Sequence, residues 1–343
     1  MSIEALTEAA NRLWRVHFGD GTAPELTPCA AGGNNRVFIA RADRRTAILK
    51  WYFRDATGTR DRLDAEWRFL DFAAAHGIVG LPRPFARDPV ARLALIEYCP
   101  GARPVAIGSA EIDAAARLFR ALNRHRALPE AALLPPAAEA CFSLSAQITL
   151  VDRRLARLEA IAAAAGAEPE LPALLERMRA GWSRLRHRLP CAAGALGIDP
   201  QAEIPPSARC LSPSDFGFHN ALAGPDGVLR FVDFEYAGWD DPAKFACDFF
   251  LQPAVPVPRC LRERFLEHTL GEWPDASLLR RRIELMAPLF ALKWCCIMLN
   301  PFVPALAGAG RFAAPDRQEA ALRRERIAAA SAACAALSDL QGL

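Results

Sequence analysis

The sequence predicts an α+β fold in which a small antiparallel sheet carrying one helix precedes a larger, mostly helical region. Three observations predict it. Two strand pairs with turn residues between them flank one helical stretch before residue 100, the pattern of a sheet packed on a helix. After Pro100-Gly101, long Ala/Leu/Arg segments with helical spacing dominate. Finally, 343 residues, 52% hydrophobic and 24% charged, make a globular chain of two-domain length with ample core.

In chain order, residues 1–20 read as an amphipathic helix with early acids rather than a signal peptide. Arg36–Ala42 and Thr46–Phe53 flank the turn Asp43-Arg44-Arg45 and form a hairpin. Asp61–Ala75 has apolar residues at helical spacing, and a second hairpin comes next: Arg83–Arg87, a turn at Asp88-Pro89, then Leu93–Cys99. Pro100-Gly101 punctuates the end of this unit, so the domain boundary is set near residue 100. Ser109–Arg126 begins with Ser109 as its N-cap candidate, and long helices run across 138–165 and 168–188. A β interruption covers 209–234, with Ala221–Ala223, a Pro225-Asp226-Gly227 turn and Val228–Phe234. Helices resume at 258–271, 276–300 and 316–338, and there is no internal repeat.

Composition excludes several function classes. A net charge of +3 without a basic block argues against nucleic acid as a partner. The best apolar run, Ala287–Leu299, is interrupted by Lys293, so no membrane span is expected. Ten cysteines without a CxxC pair suit reduced thiols in a cytoplasmic protein, and neither a zinc site nor a disulfide framework. Only three of the 42 basic residues are lysines: Lys50, Lys244 and Lys293. The Ala/Arg excess reads as a bias toward GC-rich codons, which replaces Lys by Arg wherever either serves. A lysine that survives it is a candidate for work that needs a compact point charge on a flexible stem rather than a planar fork.

Four local features carry candidate chemistry. Gly32-Gly33-Asn34-Asn35 precedes the strand Arg36–Ala42, and glycines there let backbone N–H groups approach phosphate oxygens; alone, such a pair is equally an ordinary turn. Lys50 interrupts an apolar strand, where an ammonium is costly unless paired. Glu66 on the next helix is a suitable partner, and a place on the strand's solvent face is the alternative. Asp215 and Asn220 are five apart in a loop bounded by apolar residues; a carboxylate can accept a hydroxyl proton, and an amide oxygen can take Mg²⁺. Asp233, thirteen residues beyond Asn220, ends a strand and offers the oxygen donor that a hard cation needs.

The ordered set resembles the aminoglycoside phosphotransferase/choline kinase family, relatives of the protein kinases, over nearly the whole chain. Gly-Gly-Asn-Asn-Arg-Val-Phe with the Ile-Leu-Lys strand is similar to that family's nucleotide lobe. Asp215-x4-Asn220 and Asp233 resemble its catalytic loop and metal-binding aspartate. Phe234-Glu235-Tyr236-Ala237-Gly238, then Asp241-Pro242 and Asp248, resemble the family's stretch after that aspartate, and Leu95-Ile96-Glu97-Tyr98 before Cys99-Pro100-Gly101 resembles the hinge. The resemblance implies a protein-kinase-like bilobal fold: a nucleotide-binding lobe over 1–100, and a helical lobe with the catalytic loop and acceptor site over 101–343. It implies ATP and Mg²⁺ as cofactors, Asp215 as catalytic base, and Asn220 and Asp233 as Mg²⁺ ligands. Lys50, supported by Glu66, would hold the α/β-phosphates; Gly32, Gly33 and Asn34 would cover them; hinge backbone at Glu97 and Cys99 would bind adenine. Glu235, Trp239, Asp240 and Lys244 are placed at the border of the acceptor pocket, whereas Asp241 is read as a helix cap. One departure is that Pro213 stands two residues before Asp215, where the family usually has a bracing His; a rigid Ser-Pro-Ser turn is expected to brace the loop instead. His219 is read as loop packing or a group one layer behind the reacting atoms. Lys293 is read as core packing with a snorkelling amine.

The function implied is a small-molecule kinase in which ATP and an alcohol give a phosphate ester and ADP. From Val255 onward twelve Arg/Lys stand against nine Asp/Glu, which does not favour a polycationic aminoglycoside. Three tyrosines and seven tryptophans leave open the aromatic faces that choline would need. A sugar or sugar-like alcohol fits the charge better. The alternatives are an aminoglycoside- or choline-type kinase and a catalytically silent nucleotide-binding regulator, the latter motivated by Pro213. A protein kinase does not fit, since the path from Asp233 to Asp241-Pro242 leaves no room for an activation segment.

Overall fold

A computed structural model describes residues 2–29, 33–54, 60–164, 168–271, 273–313 and 318–336. Helix α1 (Ile3–Phe18) starts where the Ser2 hydroxyl accepts from Ala5 N, satisfying one of the free N–H groups of a first turn. Five antiparallel strands come next: β1 (Glu25–Cys29), β2 (Arg36–Ala42), β3 (Arg45–Trp51), β4 (Pro84–Asp88) and β5 (Leu93–Glu97), in the spatial order β1-β2-β3-β5-β4. Helix α2 (Arg62–Ala75), capped by Asp61, lies between β3 and β4 in sequence.

Side chains alternate across the sheet, and each face has its own core. On one face Ala47 and Leu49 of β3, with Ala40, Leu93 and Leu95, pack under Leu6, Leu13 and Trp14 of α1. On the other face Tyr52, Ala94 and Ile96 join Leu63, Phe69 and Phe72 of α2, and this cluster runs on without a break into the helical region. The first core is private to the sheet; the second is shared.

The helical region comprises α3 (Ser109–Arg124), α4 (Leu144–Ala162), α5 (Glu170–Ala195), α6 (Pro242–Leu251), α7 (Arg262–Leu270), α8 (Ala276–Met298), α9 (Pro304–Ala313) and α10 (Glu319–Ala336). Two short antiparallel pairs interrupt it: β6 (Cys210–Ser212) with β9 (Gly238–Asp240), and β7 (Ala221–Ala223) with β8 (Leu229–Phe231). Stacked phenylalanines join these strands to α6 and α7, with Phe216–Phe249 at 5.4 Å and Phe249–Phe265 at 4.1 Å between ring centres. Such a cluster is both a large apolar payload and a geometric constraint.

Several expectations shift. The N-cap of α3 is Gly108, whose N–H is accepted by Glu111 Oε2 at 2.9 Å; Ser109 is already helical. Residues 138–143 are not helical, because 136–138 run alongside β9, where Ala137 and Ala138 donate to the Trp239 and Tyr236 carbonyls. Gly238 is required at this crossing: its φ is +156°, and a side chain would run into the Pro135 carbonyl. Helix α5 continues through Pro190 because buried Leu189 and Ala193 hold its last turns on the core.

The shared core yields a prediction. Phe69 is fully buried and stacks on Phe234 at 5.2 Å. Phe69→Ala is expected to cost roughly 3–5 kcal/mol in urea denaturation. Wild type should unfold in one transition, and separate transitions for sheet and helices would contradict a shared core.

Candidate active site

Alternation decides where Lys50 points. It shares a face of β3 with Ile48, the face toward α2, and lies opposite Val37 and Ala94 in the ladder. It is therefore not on a solvent face; it is 5% exposed. Its ammonium donates to Glu66 Oε2 at 2.6 Å and to Asp233 Oδ1 at 2.5 Å. Burial by itself would lower its pKa, but the Asp233 and Glu66 carboxylates outweigh burial and raise it, so the amine stays charged. Glu66 has further partners: Tyr52 OH donates to Oε2 at 2.8 Å and Phe234 N to Oε1 at 3.1 Å.

The loop carrying Asp215 is anchored before it begins. Asn123 of α3 donates to the Leu211 carbonyl at 3.0 Å and accepts from Leu211 N at 2.9 Å. Around Pro213 the Ser212 hydroxyl accepts from Ser214 N at 2.9 Å, and Ser214 takes a left-handed φ of +65°. Phe216 and Phe218 plug into the aromatic core on either side of Gly217. Asn220 spends its amide nitrogen on the Asp215 carbonyl at 2.9 Å, which leaves its amide oxygen as an open acceptor. Its own carbonyl accepts from Val232 N at 2.9 Å, tying the loop to the segment that ends at Asp233. Asp233 also has a left-handed backbone, φ +70°. Two such conformations in one site are costly and persist only where the surroundings enforce them.

His219 touches the loop's carboxylate directly: Nε2 lies 3.2 Å from Asp215 Oδ1. Among the described residues its Nδ1 is buried without a partner, so the tautomer with its proton on Nε2 leaves no buried N–H unmet. Gly217 makes room for this ring, since a Cβ there would sit 2.7 Å from Nδ1.

Glu235 does not border an open pocket. It is 1% exposed and accepts from Asn34 Nδ2 at 3.0 Å and Asn35 Nδ2 at 2.5 Å, with Arg62 at 3.6 Å. Burial first, then the nearby Asp233 charge, raises its pKa. Arg60 donates to the Glu235, Ala237 and Pro136 carbonyls and so staples the same segment. Asn34 thus rests on the segment just after Asp233; Gly32 falls outside the described residues.

The structure also turns Asp240 and Lys244 away from the cleft. Both are buried, at 0% and 2% exposure, and they pair with each other at 2.6 Å. Lys244 also lies 3.3 Å from Asp248, which Lys293 reaches at 3.0 Å. Lys293 is therefore a buried ion-pair partner and does not snorkel. Burial pushes the Asp240 carboxyl up to about 6 despite the Lys244 charge. Trp239 is half-buried, with its indole N–H on the Ala131 carbonyl at 2.9 Å. Asp241 caps α6 through Ala243 N at 2.8 Å and pairs with Arg282. At the end of β5 the Glu97 side chain pairs with Arg83, and Cys99 is buried, its thiol pushed up to about 11 by burial and by the Glu97 charge. Asp215 and Asp233 keep 36% and 31% of their side chains exposed, whereas Glu66, Glu235, Asp240, Asp241 and Asp248 are buried.

A family model described as the phosphotransferase enzyme family matches residues 25–249, from β1 to within α6. Comparison with curated proteins finds no match. Among solved structures, the chain is similar to a choline kinase from Cryptosporidium parvum Iowa II, with TM-score 0.60 and 12% identity over 99% of this chain and 97% of that one. It is similar to a spectinomycin phosphotransferase in complex with ADP and spectinomycin, with TM-score 0.59 and 13% identity over 97% and 98%. A macrolide 2'-phosphotransferase from Brachybacterium faecium matches with TM-score 0.54 and 19% identity over 92% and 100%. At these identities the likeness speaks for the fold, which is kinase-like and bilobal.

Removing Lys244 would strand the Asp240 charge in the interior. Lys244→Ala is expected to cost roughly 3–5 kcal/mol in chemical denaturation, and Lys244→Met combined with Asp240→Asn should recover much of it. An unchanged midpoint for Lys244→Ala would mean that the side chain faces water.

Proposed function

The chain belongs to the phosphotransferase enzyme family, and we propose that it is an ATP- and Mg²⁺-dependent kinase acting on a hydroxyl of a small metabolite, a sugar or sugar-like alcohol. The observation that carries this reading is that Lys50 pairs with both Glu66 and Asp233, while Asn220 bonds Asp215 through its amide and, through its carbonyl, the Val232 N–H next to Asp233. In this reading the nucleotide lobe ends near residue 100. Gly33 and Asn34 cover the phosphates, Lys50 holds them with Glu66 behind it, and the hinge backbone at Glu97 and Cys99 meets adenine. Ten cysteines, none in a disulfide, suit a reducing cytoplasm.

Asn220 and Asp233 are the residues that would hold Mg²⁺. The donor set fits: a free amide oxygen and a half-open carboxylate are hard ligands. A cation held by two such protein ligands keeps waters and substrate phosphates as its remaining ligands. When bound, the ion neutralises charge on the transferring phosphoryl group.

Asp215 acts as the base. The acceptor oxygen forms the new P–O bond as the bond to the β-bridging oxygen breaks; ADP leaves and the hydroxyl proton passes to Asp215. His219 at Asp215 Oδ1 and the Asn220 amide near Oδ2 hold the carboxylate in place for the acceptor. The Ser212–Ser214 turn and His219 together supply the bracing that Pro213 removes, which supports turnover over a silent regulator.

The cleft's charge supports a neutral or anionic acceptor. Glu235, Asp240, Asp241 and Asp248 are spent on internal partners, so a polycation finds few free carboxylates. The Tyr236 ring already carries Arg62 at 5.4 Å, and the Trp51 and Phe312 rings carry Arg36 at 5.5 and 5.3 Å; a quaternary ammonium needs such faces vacant.

The test is ADP release with and without a panel of sugars, amino alcohols and aminoglycosides. Asp215→Asn is expected to lower acceptor-dependent turnover by about 10²–10⁴-fold, and full turnover in that variant would overturn the mechanism. His219→Leu should lose roughly tenfold in kcat, the worth of one charge-assisted hydrogen bond, and His219→Gln, which keeps a donor, should lose less.

A further inference from the structure

A pocket lies between the turn at Gly33-Asn34 and helices α9 and α10. Its inner wall is Asn34, whose amide donates to Glu235 Oε1 and Tyr236 OH at 3.0 Å each, two and three residues past Asp233. Its outer wall carries Arg311 and Arg326, with Glu319 between them and Leu322 beside Arg326. Helix α9 closes on the sheet because it is bare there: a Cβ on Gly308 would already press on the Phe53 ring at 3.2 Å, and the Phe312 carbonyl accepts from Arg36 Nε at 2.8 Å.

Among the described residues the charges in this pocket do not cancel. Glu319 is taken by Arg323 at 2.8 Å and Arg311 at 3.5 Å. Arg326 is half-buried and has neither a carboxylate nor a carbonyl partner among the described residues. It is not one of the solvated arginines of α10: it shares a face with Glu319 and Leu322 at helical spacing, whereas Arg324 and Glu325 are exposed. A guanidinium held half out of water without a partner presents a fork of donors that matches a carboxylate or phosphate.

Resting on the kinase reading above, we propose that the acceptor carries an anionic group, a carboxylate or a phosphate monoester, and that Arg326 with Arg311 binds it while the hydroxyl faces Asp215. Arg326 then selects the acceptor, and the Gly33-Asn34 turn that covers the nucleotide also walls the acceptor's charged end.

Two measurements test this. The first is titration of inorganic phosphate into enzyme saturated with ADP and Mg²⁺. The second is ADP-release kinetics with glucose, gluconate and glucose 6-phosphate as neutral, carboxylate and phosphate probes. Arg326→Ala is expected to weaken phosphate binding and to lower kcat/KM for the preferred anionic probe, each roughly tenfold or more. Arg326→Lys should recover part of both, and Arg324→Ala on the exposed face should change neither. Preference for gluconate or for glucose 6-phosphate identifies the anion. Phosphate binding in Arg326→Ala equal to wild type overturns the proposal, even if Asp215→Asn still abolishes turnover. Loss of phosphate binding in Arg326→Ala with no acceptor turned over by wild type would retain the anion site and reject the kinase reading.

Discussion

The site depends on one buried carboxylate. Glu66 on α2 binds the Lys50 ammonium and the Tyr52 hydroxyl through one oxygen and the Phe234 amide through the other. These three partners come from the central strand, its end, and the segment just after Asp233. At 1% exposure a carboxylate must have every lone pair met or its burial is prohibitive. Glu66 therefore fixes the sheet, α2 and the Asp233 segment relative to one another. The stack of Phe69 on Phe234 does the same with apolar surface, which is why the α2 face of the sheet has no core separate from the helices.

The scarcity of lysine has a physical counterpart. All three lysines are buried, at 5%, 2% and 2% exposure, and each meets a carboxylate. Lys50 and Lys244 each stand between two. A compact ammonium can sit between two acids in a closed space, whereas a guanidinium needs the room and plane of its fork. Where arginine serves inside this protein it has that room, as at Arg60, which spreads over three carbonyls. The chain Asp240–Lys244–Asp248–Lys293 places alternating charges beneath β9 and along α6 and α8, and so supports the segment after Asp233 without entering the cleft.

Much of the fold was legible because its signals are local. The hairpins are marked by turn residues, α2 by its apolar spacing, and the β interruption by its Pro-Asp-Gly turn. The elements that escaped lack local signal. Strand β1 contains Pro28 and survives as a sheet edge. Strand β9 is three residues long and exists because β6 lies beside it. Helix α9 contains Gly308 and Gly310, weak helix formers, yet those glycines let it lie against Phe53 and the Gly33 turn.

By itself the sequence determined which residue types stand in which order: an amine on a central strand, an acid on the next helix, and Asp215, Asn220 and Asp233 at short spacing. That information is local, because strand alternation and loop length are set by neighbouring residues. Only the tertiary structure decided how the charges are shared. Glu235 turns to Asn34 and Asn35 some two hundred residues away, Asp240 and Lys244 face inward, His219 reaches Asp215, and Arg326 meets no carboxylate among the described residues. Pairing depends on which long-range groups arrive within about 3 Å and on how much water stays with them, and neither is written in the spacing of residues along the chain.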